Sequence, residues 1–295
     1  GGTLLMTPTG MAGDLMGTVA VNVPDVSLGG TFRVRINNTQ APVIDTGLGL
    51  NLPAGPYLRV DGENVFIDIL GQRLSGDFAI ENMTDAAGGS TTRIAFDNVE
   101  LSLGGGLVTL SHGSGLFVLT GGGLAGTFSA SVAVAPELGI SFEGSFSVSV
   151  NTTMGAVTDT FNVGDGVLML DLPAGPYIRV AGTGIRMNVL GQTLQGDFSV
   201  EQLTRPDGTA VTRIAIANAG IALSADGKEL LSLSKVNGAF VIMASGIAGR
   251  LSGDVSVQIP GVSVTGSLAL EINNSGVAVD ESFLLGGNTV NLVLS

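Results

Sequence analysis

Hydrophobic and polar residues alternate with a period of two along nearly the whole chain. In FSVSVN (Phe146–Asn151) every second residue is apolar, so the apolar residues share one face and the serines share the other. TRIAIAN (Thr212–Asn218) and ELLSLSK (Glu229–Lys235) follow the same pattern. This alternation is typical of half-buried β-strands, and glycine recurs too often for helices longer than about two turns. The pattern predicts an all-β protein.

Turn-forming dipeptides separate the predicted strands. Asp-Gly or Asn-Gly pairs stand at Asp61-Gly62, Asp165-Gly166, Asp207-Gly208, Asp226-Gly227 and Asn237-Gly238. Such pairs supply the positive φ angles that tight hairpin turns need. Strands that follow one another about every 8–12 residues with these turns indicate antiparallel pairing. We therefore expect a tandem-repeat, elongated antiparallel β architecture, a rod of stacked meanders or sandwich-like units, with a β-solenoid as the alternative.

The chain repeats itself at an interval of 120 residues, the distance from Leu52 to Leu172. The segment LPAGPY begins at both positions, and GQRLSGDFAIE and TRIAFDN return as GQTLQGDFSVE and TRIAIAN. A repeat of this length decides the interpretation of the whole fold. The sequence predicts a partial repeat (the second half of the unit) at residues 1–54 and full repeats at 55–174 and 175–295. We expect the array to continue beyond this fragment.

The LPAGPY segment has the properties of a strand boundary. Proline donates no backbone hydrogen bond and biases the preceding residue toward extended backbone. Pro53 and Pro56 should therefore end one strand before the next begins, with Tyr57, or Tyr177 in the second copy, as the first inward-facing residue. A weaker half-period places the same glycine mark before other short apolar strands, which predicts boundaries at Gly2, Gly115 and Gly238 as well.

Composition excludes several classes of function. The net charge of −13 argues against a nucleic-acid partner, because phosphate binding needs clustered Lys and Arg. Cysteine is absent, which removes disulfides, thiol catalysis and zinc–thiolate sites. No apolar run approaches the ~18 residues of a transmembrane helix. The outward strand positions are largely Ser, Thr, Ala and Gly, which suits strands that neighbouring repeats or chains cover.

Candidate catalytic groups are few. His112 is the single histidine, and its place in LSHGSGLF beside Ser111 and Ser114 could make it a general base. Without a partner carboxylate it is better explained as a surface turn residue. A second set recurs once per repeat, which favours cross-strand ion pairs over a two-carboxylate active site: Arg59, Asp77, Glu81 and Arg93, and then Arg179, Asp197, Glu201 and Arg213. We predict no catalytic residues and no enzyme activity.

Calcium and sugars are the remaining candidates for binding or modification. The acidic charge and the Asp-Gly turns leave Ca²⁺ as a candidate cofactor, although neither the EF-hand loop nor the G-G-x-G-x-D nonapeptide occurs. We expect no other cofactor. Asn-x-Ser/Thr sequons are candidate glycosylation sites if the protein is extracellular in a glycosylating organism, and the alternative is that Asn is simply favoured in turns. The sequons begin at Asn37, Asn82, Asn151 and Asn273.

The repeat consensus, with GSFSV-x-INN, LPAGPYIRV, LGQTL-x-GDFS and TRIAIAN, resembles the Gly-rich tandem repeats of very large bacterial secreted and cell-surface proteins, which are grouped with giant adhesins. The resemblance covers essentially the whole chain. It implies a non-enzymatic structural or adhesive segment at the cell surface, with no catalytic residues. The partners would be neighbouring repeats of the same chain and other copies in a fibre or filament.

Two other functions stay open. One is a lipid-binding β-groove like that of the AsmA-type bridge proteins, which the mean hydropathy of +0.48 and the long alternating strands favour. The other is a carbohydrate-binding or carbohydrate-cleaving β-repeat protein. Sites for carbohydrates use clustered acids and exposed aromatic platforms, and Tyr57 and Tyr177 are the only tyrosines. A continuous apolar groove would favour the lipid alternative.

Overall fold

The computed structural model describes residues 1–24, 26–70, 72–84, 88–135, 140–189, 192–205, 207–225, 228–285 and 288–295. These residues form strands joined by turns and bends, and they contain no helix. The all-β prediction is confirmed. It follows that none of the described segments is a helix long and apolar enough to cross a membrane.

Fifteen long strands pair in one antiparallel meander sheet, in the order β1-β2-β3-β6-β7-β8-β9-β10-β11-β14-β15-β16-β17-β18-β19. Their bounds are β1 (Gly2–Thr7), β2 (Gly10–Val23), β3 (Val26–Asn37), β6 (Tyr57–Ile69), β7 (Gln72–Thr84), β8 (Ser90–Leu103), β9 (Val108–Thr120), β10 (Gly123–Val134), β11 (Ile140–Asn151), β14 (Tyr177–Val189), β15 (Gln192–Thr204), β16 (Ala210–Ala225), β17 (Lys228–Met243), β18 (Gly246–Ile259) and β19 (Val262–Asn273). The antiparallel meander predicted from the sequence is thus confirmed. These strands do not form the parallel coils of the alternative, a β-solenoid.

Three two-stranded hairpins leave the sheet and fold onto it. They are β4 (Val43–Asp45) with β5 (Leu50–Leu52), β12 (Val157–Val163) with β13 (Gly166–Leu172), and β20 (Val279–Leu285) with β21 (Asn288–Leu294). The first contacts β2 and β3, the second contacts β7, β8 and β9, and the third contacts β15 to β18. Two compact units result, one of Gly1–Ala130 with Val150–Ala174 and one of Ser131–Ser149 with Gly175–Ser295. The division into repeats at residues 54/55 and 174/175 stays a prediction.

Small residues form the covered face of the sheet in the first compact unit. Ala95 of β8 is fully buried and lies between Arg93, which binds the β12 strand, and Asp97, which meets the turn of the same hairpin. Its neighbour across the strands, Ala79, is fully buried too. Successive side chains of a strand point to opposite faces, and Ile80 on the other face is 44% exposed. We call these the covered face and the open face.

The second compact unit has the same arrangement. Its core joins sheet residues of the covered face to the apolar side chains of the third hairpin. The sheet contributes Val211, Ala215, Ala239, Val241 and Ala248, and the hairpin contributes Val279, Phe283, Leu285 and Leu292. Alanine under each hairpin lets the hairpin backbone approach the sheet closely, because a larger side chain would fill the space between them.

The Gly-containing dipeptides mark turns in some places and strand interiors in others. Asp165-Gly166 and Asp207-Gly208 lie in hairpin turns, as predicted, and Asp226-Gly227 lies outside the described residues. The prediction is wrong for Asp61-Gly62 and Asn237-Gly238, which lie inside β6 and β17. A β-bulge follows the dipeptide in β6 and precedes it in β17, and the left-handed residues of these bulges are Asn64 and Lys235.

LPAGPY is a strand boundary, as predicted. β5 ends at Leu52 and β6 begins at Tyr57, and the second copy repeats both bounds. Tyr57 and Tyr177 are buried, and each segment contains a cis Gly-Pro peptide bond. The boundaries predicted at Gly115 and Gly238 are wrong, because both glycines lie inside long strands. A Cβ atom at Gly115 would lie 2.7 Å from the carbonyl oxygen of Thr127, so close strand contact explains that glycine.

Candidate functional site

An asparagine ties each hairpin to the sheet. Asn37 ends β3, and its Oδ1 accepts hydrogen bonds from the backbone N–H of Thr39 at 2.9 Å and from the Thr39 hydroxyl at 2.7 Å. Its Nδ2 donates to the carbonyl oxygens of Ala41 at 2.9 Å and Pro53 at 2.6 Å. One side chain thus joins the end of the long strand, the entry to the hairpin and the exit from it. We call this arrangement the asparagine bracket.

The bracket recurs at the other two hairpins with the same atoms. Asn151 accepts from Thr153 and donates to the carbonyls of Gly155 at 2.9 Å and Pro173 at 2.7 Å. Asn273 accepts from Ser275 and donates to the carbonyls of Val277 at 2.9 Å and Ser295 at 3.0 Å. The arrangement requires an amide side chain and a hydroxyl two residues later, which is also the chemistry of the sequon.

The bracket gives three of the four sequons a structural role. Asn37 and Asn151 are fully buried, and both hydrogen atoms of each amide are donated within the fold. Asn82 lies outside any bracket, is partly exposed, and donates to the Thr92 hydroxyl at 2.8 Å. Sugar attachment at these asparagines stays a prediction, and the hydrogen bonds of the bracket explain why the motif recurs before each hairpin.

Ion pairs connect the first compact unit's sheet to its second hairpin. Arg93 binds Glu81 of the neighbouring strand at 3.1 Å and Asp159 of β12 at 2.6 Å. Arg59 binds Asp61 at 2.7 Å and donates to the carbonyl oxygen of residue 162 in β12 at 2.6 Å. The predicted cross-strand pairs are confirmed here. The same arginines also hold the hairpin over the covered face, which the sequence did not reveal.

The second compact unit repeats this arrangement around a buried glutamate. Glu281 of β20 is 8% exposed and accepts hydrogen bonds from both Arg205 and Arg213. Arg213 also binds Glu201 of the neighbouring strand at 3.2 Å, and Arg179 donates to the carbonyl oxygen of Leu284 at 2.7 Å. A buried carboxylate is tolerated when charged donors satisfy it, so these contacts serve attachment of the hairpin.

The two tyrosines of the LPAGPY segments are hydrogen-bond donors within these networks. The Tyr57 hydroxyl donates to Glu81 at 3.1 Å. Burial, with the Glu81 carboxylate, raises the pKa of Tyr57 to about 12. Burial and Glu201 raise the pKa of Tyr177 in the same way. Both phenols therefore stay protonated at neutral pH, and neither is exposed as a platform for a sugar ring.

Asp77 and Asp197 do not join the ion pairs, and this part of the sequence prediction is wrong. Asp77 accepts a hydrogen bond from the backbone N–H of Asn64 at 2.7 Å, and Asp197 accepts one from Gly184 at 2.7 Å. Asn64 and Gly184 have φ angles of 50° and 61° and lie in the bulges of β6 and β14. The two aspartates therefore fix bulges. Over the described ranges no group of three or more metal-ligating side chains gathers, and calcium binding stays a prediction.

His112 is an exposed strand residue. It lies in β9 with a φ angle of 53°, in a bulge and not in the predicted turn. Its ring Nδ1 lies 3.2 Å from the Ser111 hydroxyl, and its backbone N–H donates to Glu100. Lys235 of β17 has the same left-handed backbone, with a φ angle of 50°. A lysine in the corresponding place indicates that the backbone position matters and that imidazole chemistry does not.

An apolar groove of about 360 Å³ lies in the first compact unit, where the bulges of neighbouring strands adjoin. The groove is open, and its walls are almost wholly apolar. The only charged side chain among them, Asp77, is engaged in holding a bulge. The period-two alternation of the sequence does not predict the groove, because a bulge shifts which residues of a strand share a face. The walls are formed by Val65, Ile67, Leu74, Phe78, Phe96, Val99 and Phe128, with Ser75, Gly76 and Asp77.

Comparisons of the chain with family models, with curated proteins and with solved structures found no match. The features that recur through the described residues are the brackets and the ion pairs under the hairpins. Both attach one part of the chain to another. The groove is a feature that could receive a separate molecule.

Proposed function

We propose that the chain is a non-enzymatic structural repeat segment of a long extracellular surface protein or filament. The observation that carries the proposal is the asparagine bracket, which recurs with the same donors and acceptors at all three hairpins. A binding site for a single ligand would require its residues only once in the chain. A bracket that recurs with every hairpin serves construction, and stability that grows with the number of repeats is the advantage of tandem arrays.

The path of the chain at a hairpin supports this proposal. β3 and β6 pair directly, with Asn37 opposite Tyr57, although the first hairpin is inserted between them in sequence. The hairpin therefore adds a covering layer without interrupting the hydrogen bonds of the sheet. Further repeats could lengthen the same sheet at either edge without any change in their internal contacts.

Electron microscopy tests the structural function. We expect this chain, and a tandem duplication of residues 55–295, to form rods or filaments, with the duplicated chain giving rods measurably longer at the same width. The growth in length follows from adding strands to one sheet. Compact particles that do not lengthen on duplication would count against the proposal.

A lipid-binding groove is the second candidate function, and the apolar groove is the observation that favours it. Its volume lies at the lower end of the ~300–1,000 Å³ of small-molecule sites, which are mostly apolar. Phe78 and Phe96 are direct partners on β7 and β8, and side chains beyond the bulges extend the apolar walls. Walls that are almost wholly apolar would select a hydrocarbon chain over a sugar.

Binding of a fluorescent long-chain fatty acid tests this second function. We expect saturable binding that Val99→Asp weakens at least about 10-fold, because a carboxylate in the groove must be desolvated when the hydrocarbon enters. Val19→Asp is the matched control, since Val19 is an exposed strand valine outside the groove. Absence of saturable binding, or an equal effect of the two substitutions, would rule out the groove as a lipid site.

A further inference from the structure

The edge of β19 is unpaired among the strands that the structure describes, where β18 is its one sheet neighbour. β19 (VSVTGSLALEIN) has the length of β3 (VSLGGTFRVRIN) and ends on the same Ile-Asn. β3 is paired on both sides, by β2 and by β6. On β19 the large apolar residues Leu268, Leu270 and Ile272 are 39–55% exposed. An exposed apolar edge of this kind is a template for another strand.

The pairing of β3 with β6 shows which strand fits such an edge. Arg35 lies directly opposite Arg59, and Ile36 lies opposite Leu58. Arg35 also reaches diagonally to Asp61, with Nη2 at 2.7 Å from the carboxylate. The side chain at this position of the edge therefore interacts with the charges at two positions of the incoming strand. These are the third and fifth residues, which in β6 are Arg59 and Asp61.

On β19 the position of Arg35 is taken by Glu271. A strand that docks in the β3–β6 register would place its arginine opposite this glutamate, which is the favourable arrangement for a cross-strand pair. Glu271 is available for it, because its one ion-pair contact, with Arg250, is 3.9 Å long and both side chains are at least half exposed. The fifth position of the incoming strand then decides between candidates.

The two repeat-opening strands of the chain differ at that fifth position. β6 reads YLRVDG, with Asp61, and β14 reads YIRVAG, with Ala181. An aspartate would meet Glu271 as a like charge, whereas alanine leaves the Arg–Glu pair unopposed. The edge of β19 therefore matches the sequence of β14 better than that of β6.

We propose that the edge of β19 is a strand-addition site for the opening strand of another copy of this repeat, of the Tyr-Ile-Arg-Val-Ala type. Main-chain hydrogen bonds would give the affinity, and the Glu271–arginine pair would give the choice of strand. The proposal rests on the structural function proposed above and adds to it the surface and the sequence through which repeats join.

Two fluorescent peptides test the proposal on the full chain, one with the sequence of residues 177–189 and one with that of 57–69. Fluorescence anisotropy should show that the first binds about 5-fold more tightly, which is the size of a cross-strand charge effect. The 57–69 peptide with Asp61→Ala should recover the tighter binding. In a Glu271→Arg chain the preference should reverse, because an arginine at this position pairs with Asp61 in β3 and β6.

Glu63→Arg provides the matched control, since Glu63 is an exposed glutamate of β6 away from this edge and the substitution changes the net charge equally. It should leave the preference unchanged. Failure of both peptides to bind, or a preference that Glu271→Arg does not alter, would overturn the proposal. Rods in electron micrographs without peptide binding would mean that the structural function holds and that repeats join through another surface. Peptide binding without rods would keep this edge as a binding site and remove the structural function.

Discussion

An Asn151→Ala variant should lose about 2–4 kcal/mol of the free energy that holds the second hairpin on the sheet. The substitution removes the acceptor of the Thr153 N–H and the donor to the Pro173 carbonyl. A part-buried polar group left without its partner costs ~1–2 kcal/mol, the lower part of the range for a buried group, and two such groups remain. Asn151→Asp should be no better, because a carboxylate cannot donate to the Gly155 and Pro173 carbonyls.

Hydrogen–deuterium exchange in the hairpin strands Val157–Val163 and Gly166–Leu172 measures this effect. The expected loss corresponds to exchange that is about 30- to 700-fold faster. Thr153→Ser should change little, since Ser275 makes the same contacts in the third bracket. Asn82→Ala removes a sequon that is not a bracket and should cost under ~1 kcal/mol. Unchanged hairpin exchange in Asn151→Ala would show that the bracket does not hold the hairpin.

The strand class and the boundary at LPAGPY could be predicted because they depend on local properties. Alternation with period two reports strands directly, and proline cannot continue a ladder. The hairpins could not be predicted as a covering layer. Val157–Leu172 alternates as the long strands do, and only contacts distant in sequence, such as Arg93 with Asp159, place it over the sheet.

The residues of the bracket form a sequence motif that has two interpretations. Asn-x-Thr after a long strand predicts a sugar site or a turn, and both interpretations consider only the local segment. The decisive partner is the Pro53 carbonyl, 16 residues away from Asn37. A signal was available nonetheless, because the sequon and the LPAGPY segment recur together, with Asn37 before Pro53 and Asn151 before Pro173.

The covered face is the largest difference between expectation and structure. Hydropathy favours Ile and Phe as the core-facing residues of TRIAFDN and Ala as an outward residue that neighbouring chains cover. In β8 the hairpin of the same chain covers Ala95, which is fully buried, while Ile94 and Phe96 on the open face are partly exposed. Residue size explains the difference. Two layers can approach closely only over small side chains, and the hairpin supplies the large ones, Phe161 and Leu170.

Ala95→Leu should therefore cost about 1–3 kcal/mol, the usual range for overpacking a filled site, and should lift the second hairpin. Exchange of Val157–Leu172 should rise while that of the strands on the far side of the sheet changes less. Ala20→Leu is the same substitution at an exposed strand alanine and should stay within ~0.5 kcal/mol.

If Ala95→Leu is neutral while Ile80→Ala unfolds the unit, the open face is the true core and the hairpin is peripheral. If the expected order holds, the large apolar residues of the open face contribute less to the stability of a single chain than the small residues of the covered face.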